Sequence, residues 1–143
     1  GDIFITNEEI MCLNILMSDK DTERAKAYSD FLQNVFEKNK DEEYWKRQKV
    51  YKVLMTNLAN VKGSEGEYEY SNNVSKSIIS ICMMEKNLTF LDENFYNWAW
   101  NCRQQNEPKQ EYIHYLKYSY YIARFFDEDK SAMFYKSRLD EWN

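Results

Sequence analysis

The 143 residues include only 3 glycines and 1 proline, roughly a quarter of the usual share, too few for the positive-φ turns of a β-sandwich, a barrel or a Gly-rich phosphate-binding loop. An apolar fraction of 43%, with 17% aromatic residues, is enough for a packed core and argues against disorder despite 30% charged residues. A formal charge of −5 argues against a nucleic-acid-binding face, since phosphate neutralisation supplies most of the affinity of such surfaces.

An all-α chain is expected, and seven helical stretches can be read in order. The first opens at a capping box, Thr6-x-x-Glu9, and carries Ile10, Leu13, Leu16 and Met17 on one side. The second starts after Asp21 and shows Ala25, Tyr28, Leu32, Val35 and Phe36 at the three-four spacing of one buried stripe. The third runs from about Glu42 to Lys62 with Tyr51, Leu54, Met55, Leu58 and Val61 inward, and Gly63-Ser64-Glu65-Gly66 ends it. The fourth, about Tyr68 to Lys86, turns Val74, Ile78, Ile81 and Cys82 inward. A second capping box, Thr89-x-x-Asp92, begins the fifth, with Leu91, Phe95, Trp98, Ala99 and Cys102 as its stripe. Pro108 suits the first turn of the sixth, which carries Ile113, Leu116, Tyr120 and Ala123 up to a break at Asp127 to Asp129. Ala132, Tyr135, Leu139 and Trp142 mark the seventh.

Charge and chemistry along these stretches read as structural. Lys46, Arg47, Lys49 and Lys52 form the densest basic run and are expected on a solvated face, as are the acidic clusters Asp41 to Glu43 and Glu65, Glu67 and Glu69. Cys12, Cys82 and Cys102 are odd in number and far apart, which predicts reduced, mostly buried thiols rather than a zinc site or a disulfide framework. His114 has no evident Cys or Asp partner, and no nucleophile or acid–base pair stands out, so no enzyme and no cofactor are expected. No apolar run reaches the ~20 residues that cross a bilayer, and no signal peptide is visible, which points to a cytoplasmic protein without a membrane partner. The chain opens on Gly1 rather than Met and is read as one domain, 1–143, from a longer protein.

The stretches also repeat. Tyr70, Val74, Ser77 and Ile81 match Tyr112, Leu116, Ser119 and Ala123 at an offset of 42. Met55, Asn57, Leu58 and Ala59 match Phe95, Asn97, Trp98 and Ala99 at an offset of 40. Small residues at Ala59, Ala99, Ser77 and Ser119 would let neighbouring helices approach closely. A hairpin recurring at about forty residues predicts an α-solenoid of about three antiparallel pairs with the seventh helix as its C-terminal cap.

The run Asn94-Phe95-Tyr96-Asn97-Trp98-Ala99-Trp100-Asn101, followed by Tyr115 to Ala123, resembles the final tetratricopeptide repeat of the sensor region of Firmicutes helix-turn-helix regulators, the RRNPP-type peptide-pheromone receptors and their relatives. The specific positions lie at about residues 51 to 126, and Tyr70 and Tyr112 depart from the pattern, which has a small Ala there. The resemblance implies a ligand-sensing, dimerising domain acting in quorum sensing, with DNA reached only through a domain absent from this chain. It also implies that Asn57 and Asn97 face a concave groove and hydrogen-bond the backbone of a short peptide, for which an amide suits because it both donates and accepts. Asn60 and Trp100 lie near one turn further along, and Thr56 and Tyr96 flank the asparagines. Surplus apolar residues in the last stretch, Met133 and Phe134 among them, suggest a homodimer through the C-terminal third. The competing reading is a constitutive protein–protein scaffold that holds a segment of another protein and no small ligand.

Overall fold

A computed structural model describes residues 22–41 and 49–143. They form six helices: α1 (Thr22–Asn39), α2 (Lys49–Ser64), α3 (Tyr68–Glu85), α4 (Leu91–Gln104), α5 (Lys109–Phe125) and α6 (Asp129–Trp142). No strand occurs among the described residues, so the fold is all-α as composition predicts. The expected first helix with its Thr6–Glu9 box, the Asp21 cap, the third stretch's start at Glu42, and Lys46 and Arg47 lie outside the described residues.

Helix ends share one device. Gly66, Lys86, Asn106 and Asp127 all adopt positive φ, between 54° and 85°, at intervals of 20, 20 and 21 residues. After each, the next N–H reaches back five residues: Glu67 to Lys62, Asn87 to Cys82, Glu107 to Cys102 and Glu128 to Ala123. This is the Schellman closure, which satisfies carbonyls that a helix end leaves open. Three of the four positions are not glycine, so the glycine count understates how many left-handed turns the chain makes. Gly63 itself is helical, and the turn after α2 falls to Gly66, with φ +85°.

The second capping box does not form. Phe90, at φ +69°, precedes α4, and no side chain caps that helix. The Thr89 N–H goes instead to Asn87 Oδ1 at 2.9 Å, and Asp92 is buried, accepting the Tyr135 hydroxyl at 2.7 Å. Pro108 sits just ahead of α5, and its carbonyl accepts the Glu111 N–H.

Each helix packs on its sequence neighbour, and α2 also packs on α4. Pairing of Lys52 with Glu85, and the bond from Ser71 Oγ to the Ala59 carbonyl, set α2 and α3 antiparallel. Contacts of Trp98 with Tyr115 and of Tyr112 with Trp142 do the same for α4/α5 and α5/α6, together with the Ser119–Asp92 bond. Thr56 meets Asn94 and Gly63 meets Asn101, so α2 and α4 run the same way. Asp92 with Tyr135, and Arg103 with Trp142, make α6 parallel to α4. Three parallel helices thus stand in a row, with α3 and α5 at the junctions between them.

Two cores result. Leu32, Val35, Leu54, Met55, Leu58, Val74 and Ile78 dominate the first, around α1 to α3. Ala99, Ile113, Leu116, Ala123, Ala132, Tyr135 and Trp142 form the second, around α4 to α6. The basic run is not wholly solvated: Lys52 is buried against α3 and paired with Glu85. Glu65 and Glu67 are exposed at the α2–α3 turn, as expected, and both pair with buried Lys62, at 3.3 and 2.9 Å. Burial works against the Lys62 charge, but the bonds to Glu67 and Glu65 outweigh it and hold the ammonium above its ordinary range.

Candidate functional site

The face of α4 that meets α2 and α3 carries buried amides. Asn94 donates to the Phe90 carbonyl at 2.8 Å and to Thr56 Oγ1 at 3.0 Å, so one side chain ties the strained start of α4 to α2. Two turns on, Asn101 donates to Ser71 Oγ at 2.8 Å and to Asn72 Oδ1 at 2.9 Å, tying the far end of α4 to α3. Both amides are at most 1% exposed, where an unmet donor would cost about 1–3 kcal/mol. With its N–H groups held by α3, Asn101 turns its carbonyl oxygen toward Gly63. A Cβ at position 63 would lie 2.8 Å from that oxygen, so only glycine permits this approach without displacement.

Beside this contact, α2 and α4 part to leave a cavity of about 230 Å³. Ala59, Asn60, Gly63 and Ser64 line it from α2, and Tyr96, Asn97, Trp100 and Asn101 from α4. None of these eight residues is charged. Trp100 is half-buried and lies against Tyr68, ring centroids 6.0 Å apart. Burial pushes the Tyr96 phenol above its ordinary range, while its oxygen accepts a bond from Arg138 Nε at 3.3 Å. Tyr96 also packs on Phe134 and Trp142, which extends the aromatic surface from α4 onto α6. A second depression, about 510 Å³, lies at the α4–α5 turn among Arg103, Glu107 and Lys109, and none of the sequence candidates lines it.

Four of the six candidates therefore converge: Asn60, Tyr96, Asn97 and Trp100 share one cavity wall or the other. Asn57 is half-buried on α2, one turn before Asn60, and is not among the lining residues. Thr56 is buried, bonded to Asn94 and to the Lys52 carbonyl, and belongs to the α2–α4 contact rather than to an open surface. Sequence reasoning missed Gly63 and Asn101. A glycine inside a helical register and an Asn four residues after Asn97 were the available signals, since both mark the side of a helix that another helix approaches.

His114 is exposed and within 2.7 Å of the Tyr118 hydroxyl. Cys82 and Cys102 are free and buried, and burial pushes the Cys102 thiol up to about 11. Among the described residues no group of His, Cys, Asp and Glu could hold a metal ion, and no helix is long and apolar enough to cross a membrane. Comparison with protein-family models, with curated proteins and with solved structures finds no match.

Proposed function

We propose that this chain is a tetratricopeptide-like α-solenoid whose row of parallel helices binds a short extended peptide. The observation that carries the reading is the uncharged cavity between α2 and α4, which gathers Asn60, Asn97, Tyr96 and Trp100. Amides beside aromatic rings suit a peptide, because the amides meet backbone groups whatever the side chain, and the rings take apolar side chains. The regular interval of the helix-end closures and the parallel course of α2, α4 and α6 support the repeat architecture. In this reading the domain serves a transcriptional regulator, and ligand binding changes the curvature of the row and hence how a dimer presents its DNA-binding parts. Met133 and Phe134, 72% and 42% exposed on α6, are the proposed dimer contact, which light scattering at high micromolar concentration tests.

Thermal-shift screening of short peptides, then calorimetry on any hit, tests the groove. Asn97→Ala and Asn60→Ala should each weaken binding by about 1–3 kcal/mol, roughly five- to hundredfold, with little change in melting temperature. Equal affinity for the wild type and both variants would remove the asparagines from the site. Failure of every short peptide would favour the scaffold reading, in which a segment of another protein occupies the same face.

A further inference from the structure

We infer that the cavity between α2 and α4 is an anchor pocket for a single tyrosine side chain of the bound peptide. The inference rests on the peptide-binding reading and adds to it the residue that the ligand must carry. Size comes first. A cavity of about 150 Å³ admits benzene, so about 230 Å³ takes one six-membered ring with a substituent, but not a run of side chains. Charge comes second. None of the eight lining residues carries a charge to neutralise an ammonium, a guanidinium or a carboxylate, so a charged tip would exchange its water for neutral hydrogen bonds alone, at a net cost.

Shape and hydrogen bonding narrow the choice further. On the α2 side, buried Gly63 and Ala59 carry no side chain or a single methyl and so leave the width of the cavity to a ring, with Asn60 and Ser64 beside them. The α4 wall offers the Trp100 indole and the Tyr96 ring, whose faces and edges favour a third aromatic group. At the floor, Asn101 is 1% exposed and has both amide hydrogens engaged by Ser71 and Asn72. What it presents beside Gly63 is its carbonyl oxygen, a pure acceptor fixed in place by α3. A phenol is the ring that carries a donor at its far end, whereas a phenylalanine would bury that oxygen without a partner.

The test uses the 143-residue chain and mixtures of hexapeptides in which one central position is fixed as Tyr, Phe or Lys. N-acetyl-tyrosinamide, N-acetyl-phenylalaninamide and N-acetyl-lysinamide serve as isolated anchors, read by the amide resonance of Gly63 and the indole resonance of Trp100. Tyr-centred mixtures should bind at least about tenfold tighter than Phe-centred ones, with Lys-centred ones weaker still. Trp100→Ala should weaken Tyr-centred and Phe-centred mixtures alike, and Gly63→Ala should erase the preference between them by pushing Asn101 out of line. If Gly63→Ala unfolds the chain, the roughly tenfold preference in the wild type together with the loss in Trp100→Ala decides. Peptides that bind with no preference for Tyr would overturn the anchor and leave the peptide reading intact. N-acetyl-tyrosinamide shifting both resonances, while no hexapeptide binds, would support the anchor and sink the peptide reading. No response to any probe would overturn both.

Discussion

Around α1, α2 and α3 the buried side chains are mostly aliphatic, with Leu32, Leu54, Leu58, Val74 and Ile78 at 0% exposure. Around α4, α5 and α6 the work passes to rings: Tyr135 and Trp142 are buried, and Tyr96, Trp100, Tyr112, Tyr115 and Tyr120 pack against them half-exposed. The first kind of core is held by volume, since an aliphatic chain has no direction to satisfy beyond filling space. The second is held by pinned tips. Tyr135 bonds buried Asp92, Ser119 bonds the Asp92 carbonyl, and Arg103 lies over the Trp142 ring at 4.9 Å. Rings pinned at their edges can stay partly exposed without losing their place, and this is the half from which the cavity takes its aromatic wall. The difference puts a rigid, space-filled support beside a surface equipped to receive a ligand.

That contrast is open to measurement. Leu58→Ala should be the most damaging change, costing about 2–5 kcal/mol by chemical denaturation, because a filled core leaves a hole where the side chain was. A loss under about 1 kcal/mol would mean that the first core can collapse around the gap and is not the tight half. Tyr135→Phe keeps the ring and removes only the hydroxyl from a buried carboxylate, so about 1.5–3 kcal/mol should go. The same change at Tyr120, whose ring is half-exposed, should be close to neutral, and equal losses at the two positions would refute the pinned-tip account.

The smallest effect expected is the response to acid. The Lys40 and Tyr70 bonds hold the Glu37 carboxyl below its ordinary range, and the Lys62 bond does the same for Glu67. A carboxyl depressed on folding adds stability above its unfolded value of 4.5, and that stability is lost as the pH falls through the lower folded value. Both groups are exposed, so solvent screening keeps the loss small. Both also sit in the α1–α3 half, so below pH 4.5 amide protection, with the pH-dependent intrinsic exchange rate divided out, should fall there first. Glu37→Gln together with Glu67→Gln should flatten the response, and protection lost first in α5 or α6 would contradict it.

Much of the helix plan was legible because the apolar spacing of each described stretch fixes which side turns inward. Leu32, Leu54, Val74, Leu116 and Ala123 are all buried where their stripes require. The capping box before α4 misled, because Thr89 and Asp92 fit one local pattern while a competing local turn and a tertiary partner claimed the atoms. Asn87 takes the Thr89 N–H, and Tyr135, forty-three residues away in sequence, binds Asp92. Lys52 misled for the same reason: its partner Glu85 lies on the next helix, and no helical register shows that pairing. At the site, the repeat offset picked out Asn57 and Asn97, of which only Asn97 lines the cavity, and one turn further along lay Asn60 and Trp100, which do, but Asn94 and Asn101 were invisible as buried amides. A polar residue inside a helix is read as solvated unless the opposing helix is known, and here Ser71, Asn72 and Thr56 supply what makes burial tolerable.

The helix-end closures at Gly66, Lys86, Asn106 and Asp127 have a bearing on how sequence errors spread. One extra residue within a helix turns everything after it by about 100°, the angle that one residue occupies in a 3.6-residue turn. In a single long helix that rotation would carry on to the end and misplace every later contact. Here each stop is made by short-range backbone bonds that depend on the local chain alone. A misphased stretch is therefore closed off at the next stop, and the following helix begins again in its own register. The four stops work as firebreaks, confining an insertion or deletion to one helix and its immediate neighbours.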